Sequence, residues 1–185
     1  HGEESESTSF ESLIFTGGRS SSGGAVSCSS SPQFINCDFI SNGSDEGGAV
    51  SSSGNPFFQG CVFAGNFAND YGSGDFASAG AYGGAFVGTG RFFDCVFSGN
   101  SCYADATADT NPGYSYALAR GGACDSVNST YQNCVFIDNT AEAFSYGGCC
   151  LPGFAEYAYA YGGAIFGSEN TFEGRTFRNN SISAW

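Results

Sequence analysis

Apolar and small residues recur along the chain in one fixed order, Phe-x-x-Cys-x-Phe-x-x-Asn. It is spelled out by Phe34-Ile35-Asn36-Cys37-Asp38-Phe39-Ile40-Ser41-Asn42 and returns over 58–66, 92–100 and 131–139. Weaker copies span 10–18, with Leu13 at the Cys position, and 172–180, with Arg175 there. Every copy after the first is preceded by Gly-Gly-Ala and an apolar residue, beginning at Gly23, Gly47, Gly83, Gly121 and Gly162. From those glycines to the first aromatic residue the spacing is 11, 11, 9, 10 and 10 residues. Such self-similarity is the mark of a solenoid, in which each repeat buries its apolar face against its neighbours.

The second Phe of each block falls at Phe15, Phe39, Phe63, Phe97, Phe136 and Phe177, so the shortest repeat is 24 residues. A coil of that length, with short strands and Gly, Ser and Asn corners, predicts an all-β fold: a right-handed parallel β-helix of about six coils. A leucine-rich repeat of similar length would need far more Leu. Strand alternation sends Cys37 and Phe39 to one face and Asp38 to the other. Stacking then predicts ladders of Phe and of Cys37, Cys61, Cys95 and Cys134 in the core. An amide ladder of Asn42, Asn66, Asn100, Asn139 and Asn180 is expected at a corner, where Asn tolerates left-handed backbone.

The extra length of the later repeats lies between the closing Asn and the next Gly-Gly-Ala, at 67–82, 101–120 and 140–161. Residues 1–185 thus form one domain, with an N-terminal tail at 1–9 and the insertions making a lateral lobe. Each insertion ends in strict alternation (Ala79-Gly80-Ala81-Tyr82, Ala117-Leu118-Ala119-Arg120, Ala158-Tyr159-Ala160-Tyr161), which predicts a strand lengthening the Gly-Gly-Ala strand. Its Ala side and its Tyr and Leu side (Tyr116, Leu118, Tyr157, Tyr159, Tyr161) admit two readings. The stripe closes a second small core, as apolar stripes usually do, or it presents an aromatic surface to a glycan or another subunit.

The tandem of Gly-Gly-Ala-[Ile/Leu/Val] and Phe-x-x-Asn resembles the repeat of chlamydial polymorphic outer membrane proteins, over nearly the whole of 10–180. The resemblance implies a secreted β-helical passenger domain with an adhesive role. The C-terminal β-barrel translocator and the usual length of those proteins are missing from this chain.

Composition narrows the function. The net charge is −13, from 18 acidic residues against 5 Arg and no Lys, which opposes binding to nucleic acid or to an anionic membrane. No run of about 20 apolar residues predicts a membrane span. Nine Cys without a CxxC pair suit an oxidising compartment, extracellular or at the cell surface. Cys102, Cys149 and Cys150 lie in neighbouring insertions, and a disulfide is expected from Cys102 to one of the vicinal pair. The single His, His1, leaves no zinc or copper set. Acidic pairs such as Asp45-Glu46 lack a calcium-loop pattern and read as solvated surface. Sequons occur at Asn42, Asn128 and Asn179, with Asn128 the best placed for a glycan.

No carboxylate pair recurs on adjacent coils, so a polysaccharide-cleaving enzyme is disfavoured. No catalytic residue, metal or cofactor is expected. Six coils stack to only about 29 Å, and neither end offers a capping helix. The expectation is a structural protein that joins copies of itself head-to-tail into a filament, with the terminal Trp185 at the contact. An adhesin fragment binding a protein or glycan is the alternative.

Overall fold

The computed structural model describes residues 8–108, 114–146 and 155–185, and over them the chain is a parallel β-solenoid. Two sheets run its length with six strands each. One takes the first Phe of every block, from Ser9–Glu11 to Thr171–Glu173; the other takes the second, from Ile14–Thr16 to Thr176–Arg178. A third sheet of five strands follows the Gly-Gly-Ala corners, from Val26–Cys28 to Ile165–Ser168. A fourth, also of five, follows the ladder Asn, and a fifth of three strands belongs to the insertions. Two faces therefore count six coils, and three coils carry every face.

Local conformation explains the nine-residue block. Each block strand is three residues long with its central Phe or Tyr inward, and a residue with positive φ ends it. Asn36, Gly60, Asp94, Asn133 and Gly174 turn the chain before the Cys position; Ser41, Gly65, Gly99, Asp138 and Asn179 turn it before the ladder Asn. The ladder asparagines are thus not the left-handed residues that propensity suggests. The residue before each turns the corner, and the Asn is free to reach the neighbouring coil.

Two aromatic columns fill the core. Rings of Phe39, Phe63, Phe97 and Phe136 stack at 4.7 Å with planes 3–5° apart. The column of Phe34, Phe58, Phe92 and Tyr131 stacks at 4.8–5.0 Å. The columns meet edge to face, as Phe58 does Phe63 at 5.4 Å, an arrangement that adds about 0.5–1.5 kcal/mol per pair to area burial. Tyr131 keeps the column because its hydroxyl donates to Ser126 Oγ at 2.9 Å.

Cys37, Cys61, Cys95 and Cys134 line the same core. Each thiol donates across the coil step to the carbonyl of a first-column aromatic: Cys61 to Phe34 at 3.3 Å, Cys134 to Phe92 at 3.5 Å. Cys124 is also buried, its thiol pushed up by desolvation, whereas Cys28 is half-buried beside Ser52. Cys102 is free and fully buried, against the expectation of a staple; Cys149 and Cys150 lie outside the described residues. Burial predicts a clean thiol titration. In a Cys149→Ser/Cys150→Ser variant, a small thiol reagent should modify one cysteine, Cys28, in the native protein and the other six only on unfolding. Rapid native modification of two or more would contradict the sealed core.

The amide ladder is fully bonded. Asn100 Oδ1 accepts from the backbone N–H of Asn66 and from its Nδ2, both at 3.0 Å, while Asn100 Nδ2 donates to the carbonyl of Phe63 at 2.9 Å. The same triplet recurs at Asn66 and Asn139, and at Asn180 in the last coil. Asn42 is buried with its Nδ2 shared between Phe15 O and Asn66 Oδ1, which removes it as a glycan acceptor in the folded chain. Asn128 and Asn179 are exposed at corners.

Candidate functional site: the lateral fin and its faces

The insertions do not extend the Gly-Gly-Ala strands. Positive φ at Gly83, Gly121 and Gly162 separates the two, so the insertion strand starts a sheet of its own. After the ladder Asn the chain runs outward as Phe67–Gly74, Ser101–Ala108 and Thr140–Tyr146, and returns as Phe76–Tyr82, Tyr114–Arg120 and Ala155–Tyr161. Neighbouring coils pair in parallel and in register on both layers, giving a two-sheet fin on one flank of the solenoid.

Alternation sets both faces of the fin. Inward positions are almost all alanine: Ala104, Ala106, Ala141 and Ala143 on the outbound sheet, Ala79, Ala81, Ala117 and Ala119 on the return sheet, all buried. Small side chains let the layers come close together, and this dry interior is the second core. Cys102 belongs to it, between Ala68 and Ala141 in register, with its thiol pushed up to about 12 by burial. Two polar insertions are satisfied: Ser115 and Ser145 share a hydrogen bond of 2.7 Å between hydroxyls. At the leading edge Asp70 takes an inward position, and its carboxylate accepts from the backbone N–H of Gly80 at 2.7 Å and of Tyr71 at 2.9 Å. A carboxylate there occupies a strand edge that another chain would otherwise pair with.

Arg120 ties the fin to the solenoid. It pairs with Asp125 at 2.9 Å and lies 4.5 Å over Tyr82 and 5.1 Å from the ring of Phe166. Its Nε is buried without an acceptor among the described residues. Burial raises the carboxyl of Asp125, with Arg120 opposing the shift.

The outward face of the return sheet brings together five of the six residues expected to form an interface. Tyr116 and Leu118 lie in register with Tyr157 and Tyr159, and Tyr161 continues the edge strand. Rings of Tyr116 and Tyr159 are 5.7 Å apart, and those of Tyr157, Tyr159 and Tyr161 follow one another at 6.3 and 6.2 Å. The Ala side therefore makes the core and the Tyr side faces solvent. Trp185 is not with them. Its backbone bonds to Ala143 and Ser145, which puts it on the outbound sheet, 71% exposed.

The outbound face also carries aromatic residues that sequence reasoning passed over: Tyr71, Tyr103, Phe144 and Tyr146. Their signal was the alternation Tyr103-Ala104-Asp105-Ala106 and Ala141-Glu142-Ala143-Phe144, in the first half of insertions for which only the closing strand is predicted. A groove of about 250 Å³ runs beside Tyr103. The larger hollow, about 630 Å³, opens at the last coil between Ile165, Phe172, Phe177 and Asn180.

Among the described residues no three or more His, Cys, Asp or Glu come together as a metal site, and no helix is long and apolar enough to cross a membrane. No protein family, no curated protein and no solved structure matches the chain, so the resemblance to the chlamydial repeat stands on its two motifs, and the structure itself establishes a parallel β-solenoid.

Proposed function

We propose that this chain is a structural building block of an extracellular or surface assembly, joined head-to-tail through its coil ends. The hollow at the last coil carries the reading. There Phe177 is 48% exposed and Phe172 half-buried, although their counterparts Phe136 and Tyr131 are fully enclosed. At the first coil Phe10 and Phe15 are half-buried, and Leu13 and Ile14 are exposed. Continued stacking would set Phe10 on Phe172, Phe15 on Phe177 and Val26 on Ile165, reproducing the contacts made at every internal step. A contact between unlike ends generates open polymers.

Light scattering against concentration, followed by electron microscopy, tests this. The expected outcome is filaments with an axial rise of about 29 Å per subunit, six steps of the strand spacing. Phe177→Asp should abolish them while leaving the circular dichroism spectrum unchanged. Monomers at every concentration, or polymers undiminished by Phe177→Asp, would remove the proposal. The exposed Tyr157, Tyr159 and Tyr161 face supports the second reading, an adhesin binding a protein or glycan through the fin.

A further inference from the structure

Away from the tyrosines of the return sheet, the groove on the outbound face is built by a step in side-chain size. Phe67, Ser101 and Thr140 form one outward column and Asn69, Tyr103 and Glu142 the next. Replacement of the bulky Phe by two small hydroxyl residues opens a trough floored by Ser101 and Thr140 and walled by Asn69, Tyr103 and Glu142. Tyr71, 67% exposed, stands at the rim, its ring 5.7 Å from that of Tyr103 and tilted by 45°. Tyr103 is held in place, because its hydroxyl donates to Asp105 at 3.2 Å.

The remaining polar groups are uncommitted. Among the described residues, the amide of Asn69, the carboxylate of Glu142 and the hydroxyls of Ser101 and Thr140 have no side-chain hydrogen bond and no ion pair. No basic residue lines the groove. It thus offers an aromatic face, a free carboxylate, and neutral donors and acceptors around a space smaller than a drug-sized pocket. An aromatic face beside a carboxylate selects a cation with an apolar side. The free amide and hydroxyls call for a ligand that also carries hydroxyl groups, which a simple polyamine does not.

We propose that this groove binds one unit of a cationic amino-sugar polymer of the glucosamine type. The C–H face of the sugar packs on Tyr103 and Tyr71, the ammonium meets Glu142, and ring hydroxyls bond Asn69, Ser101 and Thr140. This holds whether or not the coil ends stack, because the groove lies on the fin's flank.

Calorimetric titration of the full chain with a glucosamine hexamer, its N-acetylated counterpart, cellohexaose and spermine tests the proposal. The glucosamine hexamer should bind saturably, weaken with added salt, and bind at least about tenfold tighter than the other three. Glu142→Gln and Tyr103→Ala should each cost about tenfold, Glu142→Gln leaving the melting temperature in place and Tyr103→Ala lowering it by the loss of its contacts with Asp105 and Phe144; Glu173→Gln, on another face of the solenoid, should cost nothing. Equal binding of cellohexaose would overturn the ammonium contact, and equal binding of spermine would reduce the attraction to net charge. Unchanged affinity in Glu142→Gln would exclude the groove.

Discussion

Replacing Gly84 with Ala should unfold the chain or cost it at least about 3 kcal/mol, the upper range for forcing atoms into a packed interior. A Cβ on Gly84 would fall on the carbonyl oxygens of Gly122, in the next coil, and of Ser101. Both obstacles are backbone, held in the coil-to-coil hydrogen bonds that include Gly84 N–H to Gly121 O at 3.1 Å, so neither moves without separating two coils. The same collision recurs at Gly48 against Gly84 and at Gly122 against Gly163, which is why the second Gly of the motif returns in every coil. Gly99 supplies the contrast. It has positive φ, but a Cβ there meets nothing within 4 Å, and Asp138 and Asn179 hold the equivalent corners in later coils. Gly99→Asn should change stability by less than about 1 kcal/mol, because Asn accepts left-handed backbone and restricts the unfolded chain. Urea unfolding midpoints of the two variants decide the matter. Equal midpoints would mean that close coil contact is not what the glycine serves.

The contrast between these glycines shows what sequence could and could not reveal. The Phe, Cys and Asn columns were legible because each is fixed by inward alternation within a rigid nine-residue block, and stacking in register then leaves no freedom. The left-handed corners were misplaced for an identifiable reason. Four residue types, at Ser41, Gly65, Gly99, Asp138 and Asn179, occupy the turn before the ladder, whereas the neighbouring position in those five coils is always Asn. Uniformity drew attention to the residue bonded to the next coil and away from the residue that bends the chain. Either a side chain that tolerates positive φ or a glycine satisfies the bend, so its signature is diffuse.

The fin was half legible. Its return strands announced themselves by Ala-x-Ala alternation next to an already recognised motif. Its outbound strands carry the same alternation, but Cys102 suggested a loop in need of a staple and concealed it. Once the outbound strand is paired, Cys102 falls on the inward side with Ala104 and Ala106, and a small buried thiol suffices. Sizes of outward residues, the feature that makes the groove, become meaningful only when strands from three coils are laid side by side. No single repeat contains that information.

The amide ladder yields the second large effect, and one with a definite pH dependence. Asn100→Ala should cost about 3–6 kcal/mol, because it leaves the Asn66 N–H and the Phe63 carbonyl without their ladder partner, each worth about 1–3 kcal/mol when left unpaired, and takes one of the two bonds of Asn66 Nδ2. Against a total stability of about 5–15 kcal/mol, that approaches unfolding. Asn100→Asp is more informative. A protonated carboxyl reproduces all but one bond: one oxygen accepts from Asn66 and the hydroxyl donates to the Phe63 carbonyl, while its single proton leaves none for Asn139 Oδ1, which keeps the backbone N–H of residue 100. An ionised one has no proton to donate and sets a buried negative charge against that carbonyl. The aspartic acid should therefore stay neutral in the folded chain, its pKa raised above the value of about 3.9 for an unfolded Asp. Between those two values the native state holds a proton that the unfolded state has lost. Below about pH 4 the cost relative to wild type should be a constant one, about 0.5–1.5 kcal/mol for the bond lost to Asn139, and stability should fall further as pH rises, by up to about 1.4 kcal/mol per pH unit. Asn180→Asp, in the half-buried last coil, should show a shallower fall because water reaches its carboxylate. Urea midpoints of both variants and the wild type between pH 3 and pH 8 measure the difference, with the chain's other carboxylates cancelling in the comparison. A penalty for Asn100→Asp that does not vary with pH would show that Asn100 Nδ2 is not the donor that ties Phe63 to the ladder.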